Sequence, residues 1–181
     1  MSTPLHQQLA RQAETAFQAR QFARAAELFK DAADACTSEN DLLGAAEMNS
    51  NRSVSLLQAG DAREALQAAQ GLEQVFAQAG DIRRQALAIG NEAAALDALN
   101  QHKPALEKYQ QCADLLKQAG DHESRALVLK SISQIQLRTG HHLEALASMD
   151  AAIDNRKHPS LVERVLKKLL KIPFQMLHRG G

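Results

Sequence analysis

Residues 81–120 read DIRRQALAIGNEAAALDALN followed by QHKPALEKYQQCADLLKQAG, and the architecture of the chain can be predicted from these two segments. Its apolar residues recur at intervals of three and four, which predicts two amphipathic helices. Asp81 stands before the first helix as an N-cap, and Asn100 marks its end. Pro104 suits the first turn of the second helix, where its missing N–H leaves no hydrogen bond unmade. Gly120 then ends the hairpin, because glycine readily takes the left-handed conformation there.

The same hairpin recurs along the chain at a pitch of forty residues. Small residues hold equivalent positions on the first and the second helices: Ala13, Ser53, Ala93 and Ser133, and Ala25, Ala65, Ala105 and Ala145. The predicted turns follow the same spacing: Arg20, Asn40, Gly60, Gly80, Asn100, Gly120, Gly140 and Ser160. In the first copy, Thr3 is predicted to cap the helix and Pro4 to be its first residue.

The small residues have a physical reason. Two antiparallel helices approach to about 8 Å only where the crossing point carries small side chains. A single hairpin cannot bury its own apolar face, so successive copies are expected to stack. We therefore predict an all-α fold, an α-solenoid with first helices on its concave side. The predicted segments are four repeats and a C-terminal capping helix with its tail: 1–39, 40–79, 80–119, 120–158 and 159–181.

The chain resembles the tetratricopeptide repeat (TPR) family over roughly residues 3–157. The resemblance rests on the two small-residue columns, on the turn glycines Gly60 and Gly140, and on the run Ile-Gly-Asn-Glu-Ala that ends at Ala93. The chain departs from the family in its forty-residue period and in lacking the usual tryptophan. The resemblance implies a right-handed solenoid that binds a segment of a partner protein in its concave groove.

Composition narrows the classes of function. Ala (33) and Leu (25) far outnumber Val (5), Ile (6) and Thr (4), which favours helices over a sheet. The formal net charge is zero, which argues against a nucleic-acid binder.

We find no phosphate-binding loop, dinucleotide turn or nucleophile elbow, so we expect no enzyme, cofactor or metal site. The N-terminus lacks a secretory leader, and we expect a cytoplasmic protein with Cys36 and Cys112 buried in the core.

The candidate partner-binding residues lie on the first helices. One column contains Arg11, Asn51, Asn91 and Ser131, and neighbouring turns add Glu47, Leu87, Lys130 and Arg138. By the family resemblance, the asparagines face the groove. An asparagine side chain both donates and accepts, so Asn51 and Asn91 can pair with the backbone of an extended peptide. The alternative is that they hydrogen-bond neighbouring helices. The expected ligand has an apolar centre and an acidic end facing Lys130 and Arg138.

The C-terminal segment carries a second pattern. Ser160 and Glu163 form a predicted capping box. The apolar residues that follow fill one half of a helical wheel: Leu161, Val162, Val165, Leu166, Leu169, Leu170 and Ile172. Pro173 is expected to end or kink this helix. Residues 156–181 hold seven basic residues and one acidic residue, a net charge of +6, against −6 for residues 1–155.

The sequence thus predicts a non-catalytic scaffold that binds a peptide or helical segment of a partner protein. Three roles stay open for the C-terminal helix: capping the last repeat, lying on an anionic membrane surface or in a partner's groove, and self-association through residues 174–177. The alternative function is therefore an oligomerising or membrane-peripheral adaptor.

Overall fold

The structure, a computed structural model, describes residues 3–177, with the side chains of 3–170. These residues form helices and no strand, so the predicted all-α class is confirmed for the part of the chain described. The helices are α1 (Leu5–Gln18), α2 (Phe22–Ser38), α3 (Leu42–Ala59), α4 (Ala62–Ala69), α5 (Leu72–Gln78), α6 (Ile82–Ala98), α7 (His102–Gln118), α8 (His122–Arg138), α9 (His142–Asp154) and α10 (Leu161–Leu177).

The predicted turns lie where the helices end. A positive φ occurs at every twentieth residue between positions 20 and 140: Arg20, Asn40, Gly60, Gly80, Asn100, Gly120 and Gly140. Arg20 and Asn40 adopt φ of 59° without being glycine, so the turn geometry is kept where the residue type varies. Ser160, the last residue of the predicted turn series, precedes α10 and forms the predicted capping box: its N–H donates to Glu163 Oε2 (2.6 Å), and Glu163 N–H donates to Ser160 Oγ (3.2 Å).

The starts of α3, α6 and α8 share one device. The carboxylates of Asp41, Asp81 and Asp121 accept from the backbone N–H three residues on, at 2.8, 2.8 and 3.1 Å. These bonds satisfy N–H groups that have no partner within the helix. The predicted cap of α1 is wrong by one position: Pro4 is the N-cap, and Thr3 lies before it. Pro4 has an extended ψ of 147°, which its fixed φ allows as readily as a helical one.

The second copy departs from the two-helix prediction, because its second helix is divided into α4 and α5. Gln70 is extended (φ −60°, ψ 132°) and Gly71 is left-handed (φ 78°), so no helix passes through them. Pro173, which was expected to end or kink α10, does not end it, because the helix continues to residue 177.

The chain divides into two compact units, Met1–Gln111 and Cys112–Gly181, and the boundary falls within α7. In the first unit α1 packs on α2 and α2 on α3, while α3, α4 and α5 all contact α6. In the second unit α8 packs on α9, and α9 contacts α10.

The core of the first unit consists mainly of alanine with a few larger side chains. One cluster joins α1 and α2 through the buried residues Ala13, Ala16, Ala25 and Phe29. A second cluster joins α2, α3, α4 and α6 through Ala26, Leu56, Ala65, Ala68 and Ala95. A third cluster joins α3, α5 and α6 through Ala46, Leu72, Phe76 and Ala88. Each cluster includes residues from more than one helix, so the core is built by consecutive helices rather than by any helix alone.

Both predicted columns of small residues are buried, with exposed fractions of 0 or 1%. Two of the four first-helix positions are serines, and each reaches the second helix of its own hairpin. Ser53 Oγ donates to the carbonyl of Ala65 at 2.8 Å, and Ser133 Oγ donates to that of Ala145 at 2.7 Å. The small side chains therefore lie at the helix crossings, as predicted.

Candidate functional site

The eight predicted partner-binding residues divide between the two units. Arg11, Glu47, Asn51, Leu87 and Asn91 belong to the first unit, and Lys130, Ser131 and Arg138 belong to the second. Their exposure differs: Arg11, Glu47, Lys130 and Arg138 are exposed, and the other four are half-buried. Each unit therefore offers a separate set of candidate contacts.

A pocket of about 240 Å³ lies in the first unit between α1 and α3. Its lining residues are Glu14, Phe17, Gln18, Phe29, Asn51 and Val54. Phe29 of α2 is buried, Phe17 and Val54 are half-buried, and Glu14 and Gln18 are exposed. The pocket thus combines an apolar floor with polar groups at its edge, the arrangement in which proteins commonly bind small apolar groups.

Asn51 and Asn91 occupy equivalent sequence positions but differ in their partners. Asn91 Nδ2 donates to Ser50 Oγ at 3.0 Å and lies 3.4 Å from the Ser50 carbonyl oxygen, which links α6 to α3. Among the described residues the Asn51 side chain has no hydrogen-bond partner, and it lines the pocket. For Asn91 the structure therefore supports the alternative of a bond between helices, whereas the donor and acceptor of the Asn51 amide make no hydrogen bond within the described residues.

Glu47, one turn before Asn51, belongs to an ion-pair network between α3 and α6. Arg84 Nη1 donates to Glu47 Oε2 at 3.1 Å, and Arg84 Nε donates to Asp81 Oδ2 at 2.7 Å. The guanidinium also lies 5.6 Å from the centre of the Phe76 ring. The backbone N–H of Arg84, and then its side chain, hold the pKa of Asp81 below its usual value. Glu47 is therefore engaged within the protein, although its side chain is exposed.

In the second unit, Lys130, at the predicted basic end of the groove, already has an acidic neighbour in Glu163. Leu127 and Lys130 of α8 line a pocket of about 200 Å³ together with Glu163 and Leu166 of α10. Hydrogen bonds from Ser160 chiefly lower the pKa of Glu163, and the charges of Arg156 and Lys130 add to the effect. Ser131 Oγ donates to the Leu127 carbonyl at 3.3 Å, within its own helix. The N-terminal turn of α10 thus lies beside Lys130, where the sequence suggested an acidic ligand.

The sequence reasoning did not propose Phe17, Gln18 and Phe29 as site residues. The sequence does contain one feature that points to these residues: three of its five phenylalanines, Phe17, Phe22 and Phe29, fall within thirteen residues. Phe17 and Phe22 form an edge-to-face pair with ring centres 5.2 Å apart. Aromatic side chains concentrated in one hairpin favour a local apolar surface, yet helical spacing alone did not show which of them would remain accessible.

Cys36 and Cys112 are both buried free thiols, as predicted. Burial, and then the charges of Asp41, Glu39 and Glu47, raise the pKa of the Cys36 thiol. A raised pKa keeps the thiol protonated and therefore a weak nucleophile.

Within the described residues no group of three or more His, Cys, Asp or Glu side chains is placed to hold a metal ion. None of the helices described is both long and apolar enough to traverse a bilayer. A scan with protein-family models finds no match to the chain, and a search of curated proteins finds none either.

Proposed function

We propose that the chain is a TPR-like α-solenoid of four helical hairpins closed by α10. Three observations support this architecture: the positive φ at every twentieth residue, the aspartate caps of α3, α6 and α8, and the serine-to-carbonyl bonds at two hairpin crossings. All three follow the forty-residue pitch of the sequence. The two buried free cysteines accord with a reducing, cytoplasmic location.

We propose further that the protein is a non-catalytic scaffold that binds a peptide or helical segment of a partner protein along its first helices. The observation that carries this proposal is the pocket between α1 and α3, in which Asn51 stands beside Phe17, Phe29 and Val54. These are first-helix residues with the exception of Phe29, which forms part of the floor from α2.

The pocket suits one apolar side chain of the partner. Its volume of about 240 Å³ accommodates a leucine or phenylalanine side chain, and the polar edge leaves the partner backbone near Asn51. The Asn51 amide then donates to a peptide carbonyl and accepts from a peptide N–H, so that recognition does not require a particular neighbouring side chain. Because few contacts of such a groove are deeply buried, we expect micromolar affinity, about −8 kcal/mol.

The test is a peptide-display selection on the full chain, followed by titration of the selected peptides against variants. Asn51→Ala removes the amide, and Val54→Asp places a charge in the apolar floor. We expect both variants to weaken binding by about tenfold or more, since each removes about one well-made contact.

Asn49→Ala is the matched control. Asn49 lies on the same helix and has the same side chain, but its amide donates to the Ala45 carbonyl at 3.1 Å and it does not line the pocket. We expect its affinity to equal that of the wild type. Folding of each variant is checked by circular dichroism. Well-folded Asn51→Ala and Val54→Asp variants that bind the selected peptides as tightly as the wild type contradict the proposal.

A further inference from the structure

Over residues 161–170, whose side chains the structure describes, α10 leaves most of its apolar face uncovered. Leu170 is buried (5% exposed) and Leu166 is half-buried, and these two side chains face the rest of the second unit. Leu161, Val162, Val165 and Leu169 are 76, 75, 52 and 56% exposed. The predicted capping helix therefore uses only part of the apolar surface of its described side chains in contacts with the second unit.

The four exposed side chains, named here the α10 strip, lie on one side of the helix. At about 100° per residue they fall within an arc of about 100°, and Leu166 and Leu170 lie beyond one edge of that arc. Arg164 and Lys168 lie along the opposite edge and are exposed. The strip is thus bordered by cations on one side and by the packed face of the helix on the other.

Negative charge on the described part of α10 is confined to one residue that is already engaged. Glu163 is half-buried, accepts from the Ser160 backbone N–H, and lies beside Lys130 and Arg156. Lys167 pairs with Asp154 of α9, so its charge is directed toward the unit, while Arg164 and Lys168 stand at the strip edge. The accessible side of the helix is therefore apolar and positively charged.

We propose that the α10 strip docks on an anionic lipid surface, independently of the peptide-binding role proposed above. An exposed apolar stripe bordered by Lys and Arg on a surface helix lies in the interface between headgroups and acyl chains, where both chemistries are satisfied. The charge supports a membrane as the occupant: residues 156–181 carry a net charge of +6, and anionic headgroups attract such a segment.

A second copy of the chain fits the strip less well. Two strips that pair face to face in antiparallel orientation place the bordering Arg164 and Lys168 of both copies near one another, and among the described residues α10 has only Glu163, which is already engaged, as a carboxylate. Like charges brought together in this way are unfavourable.

The experiment is sedimentation of the full chain with vesicles of two compositions. One contains phosphatidylcholine alone and the other adds about one third phosphatidylserine, which supplies the negative surface potential. We expect binding to the anionic vesicles that declines with added salt, and little binding to the neutral ones. Each basic residue near such a surface contributes about a fivefold change in affinity, so Arg164→Gln combined with Lys168→Gln reduces binding about 30-fold.

Two matched controls separate this site from general effects. Val162→Glu with Val165→Glu removes binding, whereas Leu143→Glu, at a leucine of α9 that is 55% exposed, leaves it unchanged. Lys103→Gln with Lys117→Gln removes the same two charges from exposed positions of α7 and leaves binding within about twofold. Equal loss in the strip variants and their controls overturns the proposal. So does a strip that drives dimerisation in analytical ultracentrifugation while anionic vesicles remain unbound.

Discussion

Substitutions at Ser53, where α3 crosses α4, test whether the hairpins depend on small side chains at their crossings. The Ser53 side chain is 1% exposed and donates to the Ala65 carbonyl at 2.8 Å, while Ala65 is 0% exposed. Ser53→Ala removes one buried hydrogen bond, which costs about 1 kcal/mol. The equivalent residues Ala13 and Ala93 show that this site accepts alanine. Ser53→Leu also forces a larger side chain between two helices, and overpacking of this kind adds about 2 kcal/mol.

We therefore expect losses in the free energy of unfolding of about 1 kcal/mol for Ser53→Ala and about 3 kcal/mol for Ser53→Leu. The assay is urea unfolding of the full chain followed by far-ultraviolet circular dichroism. The same two substitutions at Ser38, an exposed residue at the end of α2, are the controls and change stability by less than about 0.5 kcal/mol. A Ser53→Leu variant as stable as Ser53→Ala refutes the reasoning, because it shows that the crossing has room for a large side chain.

Three further results are expected. Asn91→Ala removes the bond from Asn91 to Ser50 and costs about 1 kcal/mol, which urea unfolding measures against the wild type. Asp81 has a lowered pKa because the N–H and guanidinium of Arg84 hydrogen-bond to its carboxylate. The contribution of these bonds to the free energy of unfolding is therefore complete above the ordinary pKa of an aspartate, about 3.9. This contribution is lost as the pH falls through the lowered value, and acid unfolding of Asp81→Asn lacks that part of the dependence. The buried Cys36 thiol, with its raised pKa, reacts with iodoacetamide only after unfolding, which mass spectrometry detects.

Much of the local structure follows from residue type and spacing. Asp41, Asp81 and Asp121 precede helices at equal intervals, and aspartate is among the strongest N-cap residues. The two small-residue columns predict buried crossings because only small side chains permit a close approach. These features depend on neighbours within about one helical turn or within one hairpin, which is the range over which sequence patterns are informative.

The break between α4 and α5 was not predicted, although Gly71 is visible in the sequence. A glycine within a periodic helical pattern is tolerated at a cost of about 1 kcal/mol, so its presence alone does not indicate a turn. The left-handed conformation of Gly71, with an extended Gln70 before it, is what divides the helix. Both short helices contact α6, and such contacts between separate helices cannot be read from the residues around Gly71.

Of the eight residues predicted for the site, only Asn51 lines the pocket between α1 and α3. Asn51 and Asn91 share a column, yet only Asn91 finds a serine on the preceding first helix within hydrogen-bond distance. The pocket also depends on Phe17 and Phe29, whose accessibility is set by how α1, α2 and α3 pack together. The exposure of the α10 strip has the same origin, since an amphipathic wheel shows which residues share a face but not how much of that face is covered.

Nuclear magnetic resonance of the side-chain amides can show whether a partner peptide binds in the pocket between α1 and α3. Asn51 lines the pocket with its amide unpaired among the described residues, whereas Asn49, two residues earlier, donates to the Ala45 carbonyl. On titration with a selected peptide, we predict that the Asn51 amide signals shift in proportion to occupancy while those of Asn49 stay in place. A saturating peptide that leaves the Asn51 amide signals unchanged contradicts the proposal that partners bind in this pocket.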